Sequence, residues 1–256
     1  MGRSRLLTSI LGTGVLVSAF GLAMAPAADA HSTGRDGSVK VIADHLNNPR
    51  GLSLAPNGGL YLAEAGSGGD VCVPGGEEGQ TCIGLTGSFD WVSTHHHVRR
   101  LVTGLISASG PGGVGAEGPV SVSRSRDGRF YGLFGESSHV VPPAGTIPDD
   151  LRNAALAQLG HLVLVKHHGS MRDISDVGDQ NWSWTSTQIQ LAPNDFPDAN
   201  PNNVLNSHGH RYVVDSGANV LNEVKRNGTA NVLAFFPVPQ GSQSDSVPTC
   251  IARGPD

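Results

Sequence analysis

The chain has 256 residues, a formal charge of −5 at pH 7 and only 15% charged residues. Its 35 glycines are about twice the share of an average protein, which is typical of many short strands joined by tight turns and not of a helical protein. A mildly acidic chain without a basic run argues against nucleic acid as a partner.

The first thirty residues have the order of a secretory signal peptide. Arg3 and Arg5 form a short positive region, an apolar stretch follows over residues 6–24, and small residues precede the expected cleavage after Ala30. The alternative is a membrane anchor, but glycines and a serine interrupt the stretch. We therefore expect residues 1–30 to be removed and the mature chain to be secreted. No transmembrane helix and no membrane association are expected in residues 31–256, which are predicted to form one domain.

Three segments share one pattern, after a single predicted strand at residues 38–46. In each segment a proline begins a short strand, an Asn-Gly, Asp-Gly or His-Gly turn follows, and a second strand carries a tyrosine. Asn-Gly and Asp-Gly are strong hairpin signals because both central positions of a type I′ turn need positive φ. A fourth copy starts near Pro248. The three complete units begin near Pro49, Pro119 and Pro201, and their tyrosines are Tyr61, Tyr131 and Tyr212.

A second hairpin follows each tyrosine strand, at residues 87–105, 161–177 and 220–236. Each unit therefore has four short strands, and such units repeating radially form a β-propeller of roughly four to eight blades. We predict an all-β fold, a β-propeller of four-stranded blades, of which this chain holds about three and a half. An array truncated on its C-terminal side is expected to expose strand edges and to self-associate.

The cysteines divide into a close pair and a single residue. Cys72 and Cys82 lie in a glycine-rich insertion of the first unit, where export favours a disulfide over two free thiols. Cys250 is predicted to lie in a buried strand.

A second insertion, at residues 136–160, contains the one predicted helix. Asp149 or Asp150 is the expected cap, and Leu151, Ala155 and Leu159 form its apolar face. Residues 178–200, rich in Asn, Asp, Pro and Trp, are predicted to be irregular.

Four motifs of the chain resemble the ScyD/ScyE-type family of secreted bacterial proteins, which is related to NHL-like propellers. The motifs are LNNPRGL at 46–52, YLAEAGSGG at 61–69, VDSGAN at 214–219 and VPTCIARGPD at 247–256. The resemblance implies a six-bladed propeller when complete, without an established reaction. It favours a binding or interaction scaffold for an unknown small molecule or extracellular protein. Residues 118–121 and 202–203 depart from the family pattern, so shared ligand chemistry is not implied there.

Alignment of the repeats places polar residues around the mouth of the predicted central channel. Arg50, Val120, Asn202 and Thr249 are equivalent, and the position three residues after each tyrosine holds Glu64, Phe134 or Asp215. The candidate ligand residues at the channel mouth are Arg50, Glu64, Glu117, Asn202, Asn203 and Asp215.

Oxygen ligands of this kind suit a hard cation such as Ca²⁺, with Glu64 and Asp215 as the first candidates. A metal-dependent hydrolase, lactonase or oxidoreductase is therefore the alternative to a binding scaffold. In the simpler interpretation, both carboxylates accept hydrogen bonds from neighbouring loop N–H groups.

Other chemical signals are weak. Histidines at 95–97, 167–168, 208 and 210 fall on predicted hairpin turns too far apart for one zinc site. No nucleophile-elbow or dinucleotide-binding motif occurs, so neither a serine triad nor a nucleotide cofactor is predicted. Trp182 and Trp184 either stack on a flat ligand or pack between blades.

Overall fold

The first strand of each of three sheets begins at a repeat proline. The computed structural model describes residues 39–55, 57–76, 79–166, 169–238 and 245–254, so the predicted signal peptide, His167 and His168 lie outside the described residues. Sheet 1 contains β1 (Pro49–Leu54), β2 (Leu60–Glu64), β3 (Val71–Pro74), β4 (Gln80–Val92) and β5 (Val98–Ser109). Sheet 2 contains β6 (Pro119–Arg124), β7 (Phe130–Phe134), β8 (His161–Val165) and β9 (Met171–Asp176). Sheet 3 contains β10 (Pro201–Ser207), β11 (His210–Asp215), β12 (Val220–Val224) and β13 (Ala230–Phe235).

Sheets 2 and 3 are antiparallel meanders whose strands pair in chain order. Sheet 1 follows the same path through β1, β2, β4 and β5, and β3 pairs with the first part of β4. The four-stranded unit predicted from the tyrosine repeat is therefore present three times in the described residues.

The hairpin turns depend on glycine, although mostly not through the predicted type I′ geometry. Gly58, Gly128 and Gly209 all have positive φ, but of the residues before them only His208 does. At the first two turns the preceding side chain instead accepts a hydrogen bond from the N–H two residues on, as Asp127 Oδ1 does from Arg129 at 3.2 Å. An Asx turn followed by a left-handed glycine makes the same reversal.

Consecutive sheets pack against each other through apolar side chains. Between sheets 1 and 2, the fully buried ring of Phe89 meets Phe134 and Phe130 edge-on, with centroids 5.5 and 6.2 Å away. Gly132 makes room for it, since a Cβ there would lie 2.3 Å from the Phe89 ring.

Sheets 2 and 3 share a second cluster. Leu133, Leu162, Val204 and Val213 are buried together there. Backbone N–H groups of β10 also donate to hydroxyls of β6, as Asn206 does to Ser123 at 2.9 Å. Face-to-face packing of successive four-stranded meanders is the arrangement of propeller blades. The predicted all-β, propeller-type fold is confirmed, and the described residues from Val41 onward form one compact unit.

The first insertion is a hairpin rather than an irregular loop. Cys72 and Cys82 occupy paired positions on β3 and β4 and form a disulfide, which confirms the prediction and favours an oxidising compartment.

Replacing Cys72 and Cys82 together with alanine is expected to lower the free energy of unfolding by up to about 3 kcal/mol. The reason is that the bridge restricts the unfolded chain by closing a loop of about ten residues. Denaturant unfolding without reductant measures the loss. Cys250→Ala, at an exposed free thiol, is the matched control and should leave stability unchanged. Equal stability of the double variant and this control would contradict the prediction.

The predicted helix is present as α1 (Asp149–Gln158), with Leu151 and Ala155 buried. The predicted cap is wrong. The residue before the helix is Pro148, and no side-chain cap hydrogen bond is made. Asp149 and Asp150 lie in the first turn instead, where the helix dipole favours acidic groups.

A second helix, α2 (Val177–Ser186), occupies part of the segment predicted to be irregular. Asp176 caps it by accepting a hydrogen bond from the backbone N–H of Asp179 at 2.9 Å. Its inward face carries Val177, Asn181 and Thr185. The apolar period is weak because two of these three buried positions are polar and are held by hydrogen bonds.

Two further sequence predictions are wrong. Residues 39–46 form no strand, and residues 245–254 are irregular, with Cys250 exposed instead of buried. A strand needs a neighbour to satisfy its backbone groups, and no described strand pairs with either segment. Neither helix of the described part is long and apolar enough to cross a membrane.

Candidate functional site

A cavity of about 690 Å³ opens at the end of the sheets where loops precede the first strands and follow the second strands. Apolar side chains from β5, α1 and the β3–β4 hairpin form most of its wall. Val73, Ile106 and Ala155 are examples. The polar residues of interest in its lining are Glu117, Glu136 and Asn200. A largely apolar recess with a few polar groups is the usual form of a small-molecule site.

Glu117 is positioned by the strand before it. Its backbone N–H and C=O both pair with Ala108 of β5, at 2.7 and 2.9 Å. Arg50 approaches from sheet 1, where its guanidinium donates to the carbonyl oxygen of Ala116 and lies 3.8 Å from the Glu117 carboxylate. Both candidate residues predicted from the sequence therefore meet, with their side chains about one-third exposed.

Glu136 and Asn200 hold each other across sheets 2 and 3. The Glu136 backbone N–H donates to Asn200 Oδ1 at 3.0 Å, and Asn200 Nδ2 donates to Glu136 Oε1 at 3.3 Å. Glu136 adopts a φ of +64°, a left-handed conformation that costs a non-glycine residue about 1 kcal/mol or more. Strained backbone of this kind concentrates at functional sites.

The carboxyl groups of this region are shifted toward their protonated forms. Burial raises the pKa of Glu136 to about 8, and the negative charges of Glu117, Asp198 and Asp215 add to the shift. Burial also raises the pKa of Glu117, although the nearby Arg50 opposes the rise. At neutral pH the cavity therefore contains a neutral carboxyl that can donate a proton or a hydrogen bond.

The position three residues after each tyrosine lies in the interior in all three sheets. Glu64, Phe134 and Asp215 have no accessible surface. Glu64 accepts hydrogen bonds from the backbone N–H of Asn47 and from Arg100 Nη2, the latter at 3.3 Å.

Asp215 organises the loops around it. Its Oδ1 accepts from the backbone N–H groups of Asn200, Gly217 and Ala218 at 2.8–3.0 Å, and its Oδ2 accepts from Asn181 Nδ2 at 2.7 Å. Burial raises the pKa of Asp215 to about 6 against the effect of these donors. Asp215 and Glu64 both accept hydrogen bonds from neighbouring N–H groups, as the simpler interpretation of these carboxylates expects.

The remaining predicted residues lie apart from the cavity. Asn202 and Asn203 are half-buried in β10 and do not line it. The histidines at 95–97 are exposed in a turn, and His208 and His210 are exposed near the β10–β11 turn. Trp182 stacks on His139 at 4.3 Å, while Trp184 packs against Phe196 and Phe235.

The described residues provide no set of side chains that could bind a metal ion. No group of three or more His, Cys, Asp or Glu side chains there has an arrangement that could hold a metal ion. The Ca²⁺ site at Glu64 and Asp215 stays a prediction, and we derive no step through a metal.

Glu136 and Asn200 were not among the candidates from the sequence, although a signal for Glu136 exists. Five residues after the repeat tyrosine, the first and third units have Gly66 and Gly217, and the second has Glu136. Gly66 has a φ of +87°, so glutamate occupies a left-handed position that favours glycine.

No family model matches the sequence, and no curated protein matches it. Similar solved structures include a luciferin-regenerating enzyme, a protein provisionally named a gluconolactonase and a catalytically inactive variant of virginiamycin B lyase from Staphylococcus aureus. Their identities to this chain are 12%, 11% and 10%, with TM-scores of 0.39, 0.38 and 0.33. The matches cover 76%, 76% and 77% of this chain, which spans 48%, 49% and 58% of theirs.

Similarities at this level carry no activity over to the chain. Its own sheets and cavity define the class, an all-β protein of propeller-type blades with a recess of small-molecule size at the end of the blades.

Proposed function

We propose that the protein is a secreted binding protein whose cavity takes a small, largely apolar molecule with a hydrogen-bond acceptor such as a carbonyl oxygen. The observation that carries the proposal is the position of Glu136, a carboxyl of raised pKa that is hydrogen-bonded to Asn200 in a cavity with mostly apolar walls. The Cys72–Cys82 disulfide supports export. A binding role is also what the resemblance to the ScyD/ScyE-type family implies.

The cavity favours such a ligand for two reasons. Contact with its apolar wall removes nonpolar ligand surface from water, which favours binding by about 25 cal/mol per Å². Glu136 supplies an O–H donor beside Asn200, whereas a ligand carboxylate would face the negative charges of Glu117 and Asp198. A neutral acceptor therefore suits the polar end of the cavity better than an anion does.

Binding of a neutral lactone probe, δ-decalactone, is expected to weaken above about pH 8, because Glu136 then loses the proton that it donates. Calorimetric titration between about pH 6 and pH 9.5 measures this. The association constant should be flat below the Glu136 pKa and should fall up to tenfold per pH unit above it. Glu136→Gln keeps a donor and should remove the pH dependence, and Glu136→Ala should weaken binding by about three- to tenfold at pH 7.

Asp149→Asn, on the exposed side of α1, is the matched control and should bind as the unchanged protein does. Decanoate, an anion of similar length, should bind more weakly than the lactone. Lactone binding that does not depend on pH would contradict the proposal. Equal lactone binding by Glu136→Ala and Asp149→Asn would also contradict it.

Acid–base hydrolysis of a lactone or ester is the second candidate function. The cavity has two carboxyl groups in different environments, Glu136 neutral near pH 7 and Glu117 beside Arg50. In this mechanism Glu117 takes a proton from water as the water oxygen bonds to the acyl carbon, and Glu136 gives a proton to the departing alkoxide oxygen as the acyl C–O bond breaks. A lactone then yields a hydroxy acid, and an ester yields an acid and an alcohol.

The lactone titration separates the two functions. Binding alone returns the lactone unchanged, whereas hydrolysis adds the mass of one water and stops in Glu136→Gln. Chromatography with mass detection of the recovered probe decides between them.

A further inference from the structure

Basic side chains gather at the opposite end of the sheets from the cavity. The turns between first and second strands and between third and fourth strands lie at this end. A recess of about 1060 Å³ opens there between sheets 1 and 2. Besides Arg129, its basic lining residues are Arg99, Arg100, Arg124 and Lys166.

A second recess, of about 660 Å³, lies between sheets 2 and 3. Arg172, Arg211 and Arg226 line it, and Asp127 and Arg129 belong to both recesses. The two recesses are therefore adjacent. We call them together the basic face, which carries eight of the chain's 17 lysines and arginines against two aspartates.

Half of these cations are available to a ligand. Lys166, Arg172 and Arg226 are exposed and make no ion pair with any residue in the described ranges. Arg99 is exposed over the Trp91 ring, at 5.4 Å from its centroid.

The half-buried arginines form the floors of the recesses instead. Arg124 Nη1 donates to the Tyr61 hydroxyl at 2.7 Å, and Arg211 Nη2 donates to the Val224 carbonyl at 3.1 Å. Each floor is therefore held by hydrogen bonds, while the rim carries exposed charge.

We infer that the basic face binds a linear carboxylated polysaccharide that lies across both recesses. Arginine matches the geometry of carboxylates with two parallel hydrogen bonds, and the free cations are spread along sheets 1 to 3 rather than focused on one point. The whole chain carries a net charge of −5, so the rest of the surface repels an acidic polymer while the basic face attracts it.

The aromatic rings of the recesses argue against single-stranded nucleic acid. Tyr61 and Phe130 pack on each other with centroids 4.7 Å apart, and Phe130 and Tyr131 are buried. Bases would therefore lack the exposed ring faces on which they stack in such complexes.

Oligogalacturonates of two and eight sugar units are the probes, with the unchanged chain in low salt. The octamer should bind at least tenfold more tightly than the dimer, because only the octamer reaches both recesses, and its affinity should fall as salt rises. Uncharged maltooctaose should not bind. Equal affinity for the dimer and the octamer would overturn the inference that one polysaccharide lies across both recesses.

Two double variants test the two recesses separately. Arg99→Gln with Lys166→Gln, and Arg172→Gln with Arg226→Gln, should each weaken octamer binding about tenfold. Lys40→Gln with Arg152→Gln removes the same charge at two residues outside the lining of both recesses and should have little effect.

Equal loss in all three double variants would mean attraction by net charge alone and would overturn the inference. Tighter binding of a twelve-nucleotide thymidine strand than of the octamer would overturn it in favour of nucleic acid. Melting temperatures of the variants, expected to be unchanged at the four exposed positions of the two recesses, exclude misfolding as the cause of any loss.

Discussion

Replacing Phe89 with alanine is expected to lower the free energy of unfolding by about 3–5 kcal/mol, a large part of the stability of most domains. Phe89 has no accessible surface, packs edge-on against Phe134 and Phe130, and fills the space left by Gly132 in the next sheet. Its loss removes a buried ring and leaves a cavity between two rigid sheets that cannot collapse to fill it. Denaturant unfolding at neutral pH, monitored by tryptophan fluorescence, measures the change.

Phe236→Ala is the matched control, since it deletes the same ring at a position 36% exposed. It should cost less than about 1 kcal/mol. Phe89→Leu should fall between the two, because it keeps apolar volume and loses the ring contacts. A loss for Phe89→Ala no larger than for Phe236→Ala would show that the contact between sheets 1 and 2 does not hold the fold together.

The strands were predictable because their signals are local. A proline, a glycine turn and a tyrosine within about a dozen residues predict β1–β2, β6–β7 and β10–β11, since each hairpin is stabilised by neighbouring residues. The disulfide followed from spacing in the same way. The strand predicted over residues 39–46 and the buried strand around Cys250 are wrong, because a strand pattern alone does not supply the neighbour with which a strand must pair.

The candidate site was predictable only in part because it depends on contacts across the sheets. Arg50 and Glu117 do meet in the structure, 67 positions apart in the chain. The repeat placed Glu64 and Asp215 at equivalent positions, but it did not predict that both are fully buried. Alternation along a strand does not tell how the strand end is covered.

The basic face shows the same limit more strongly. Arg99 and Arg226 belong to the first and third sheets, so no window of the sequence contains the cluster. The absence of a basic run in the sequence therefore did not exclude a basic surface in the fold.

A pH titration of stability is expected to reveal a buried carboxyl pair in sheet 1. Asp90 and Glu64 have no accessible surface and lie on the paired strands β4 and β2. Burial, reinforced by the charge of Glu64, raises the pKa of Asp90 from 3.8 to about 8, and the nearby Arg100 opposes the rise only in part. Between about pH 4 and pH 8 the folded chain therefore retains a proton that the unfolded chain releases. Stability should fall as pH rises through this window, by up to about 1.4 kcal/mol per pH unit for this group.

Asp90→Asn should flatten that slope, because asparagine resembles the protonated carboxyl at every pH. The variant should match the unchanged protein near pH 4 and exceed its stability by about 2 kcal/mol or more near pH 8. Glu136 and Asp215, whose pKa values are also raised, should keep their part of the slope, with the same sign, in the variant. Asp150→Asn, at an exposed carboxyl of α1, is the control and should run parallel to the unchanged protein. If Asp90→Asn also runs parallel to it between about pH 5 and pH 8, then Asp90 does not carry a retained proton in the fold.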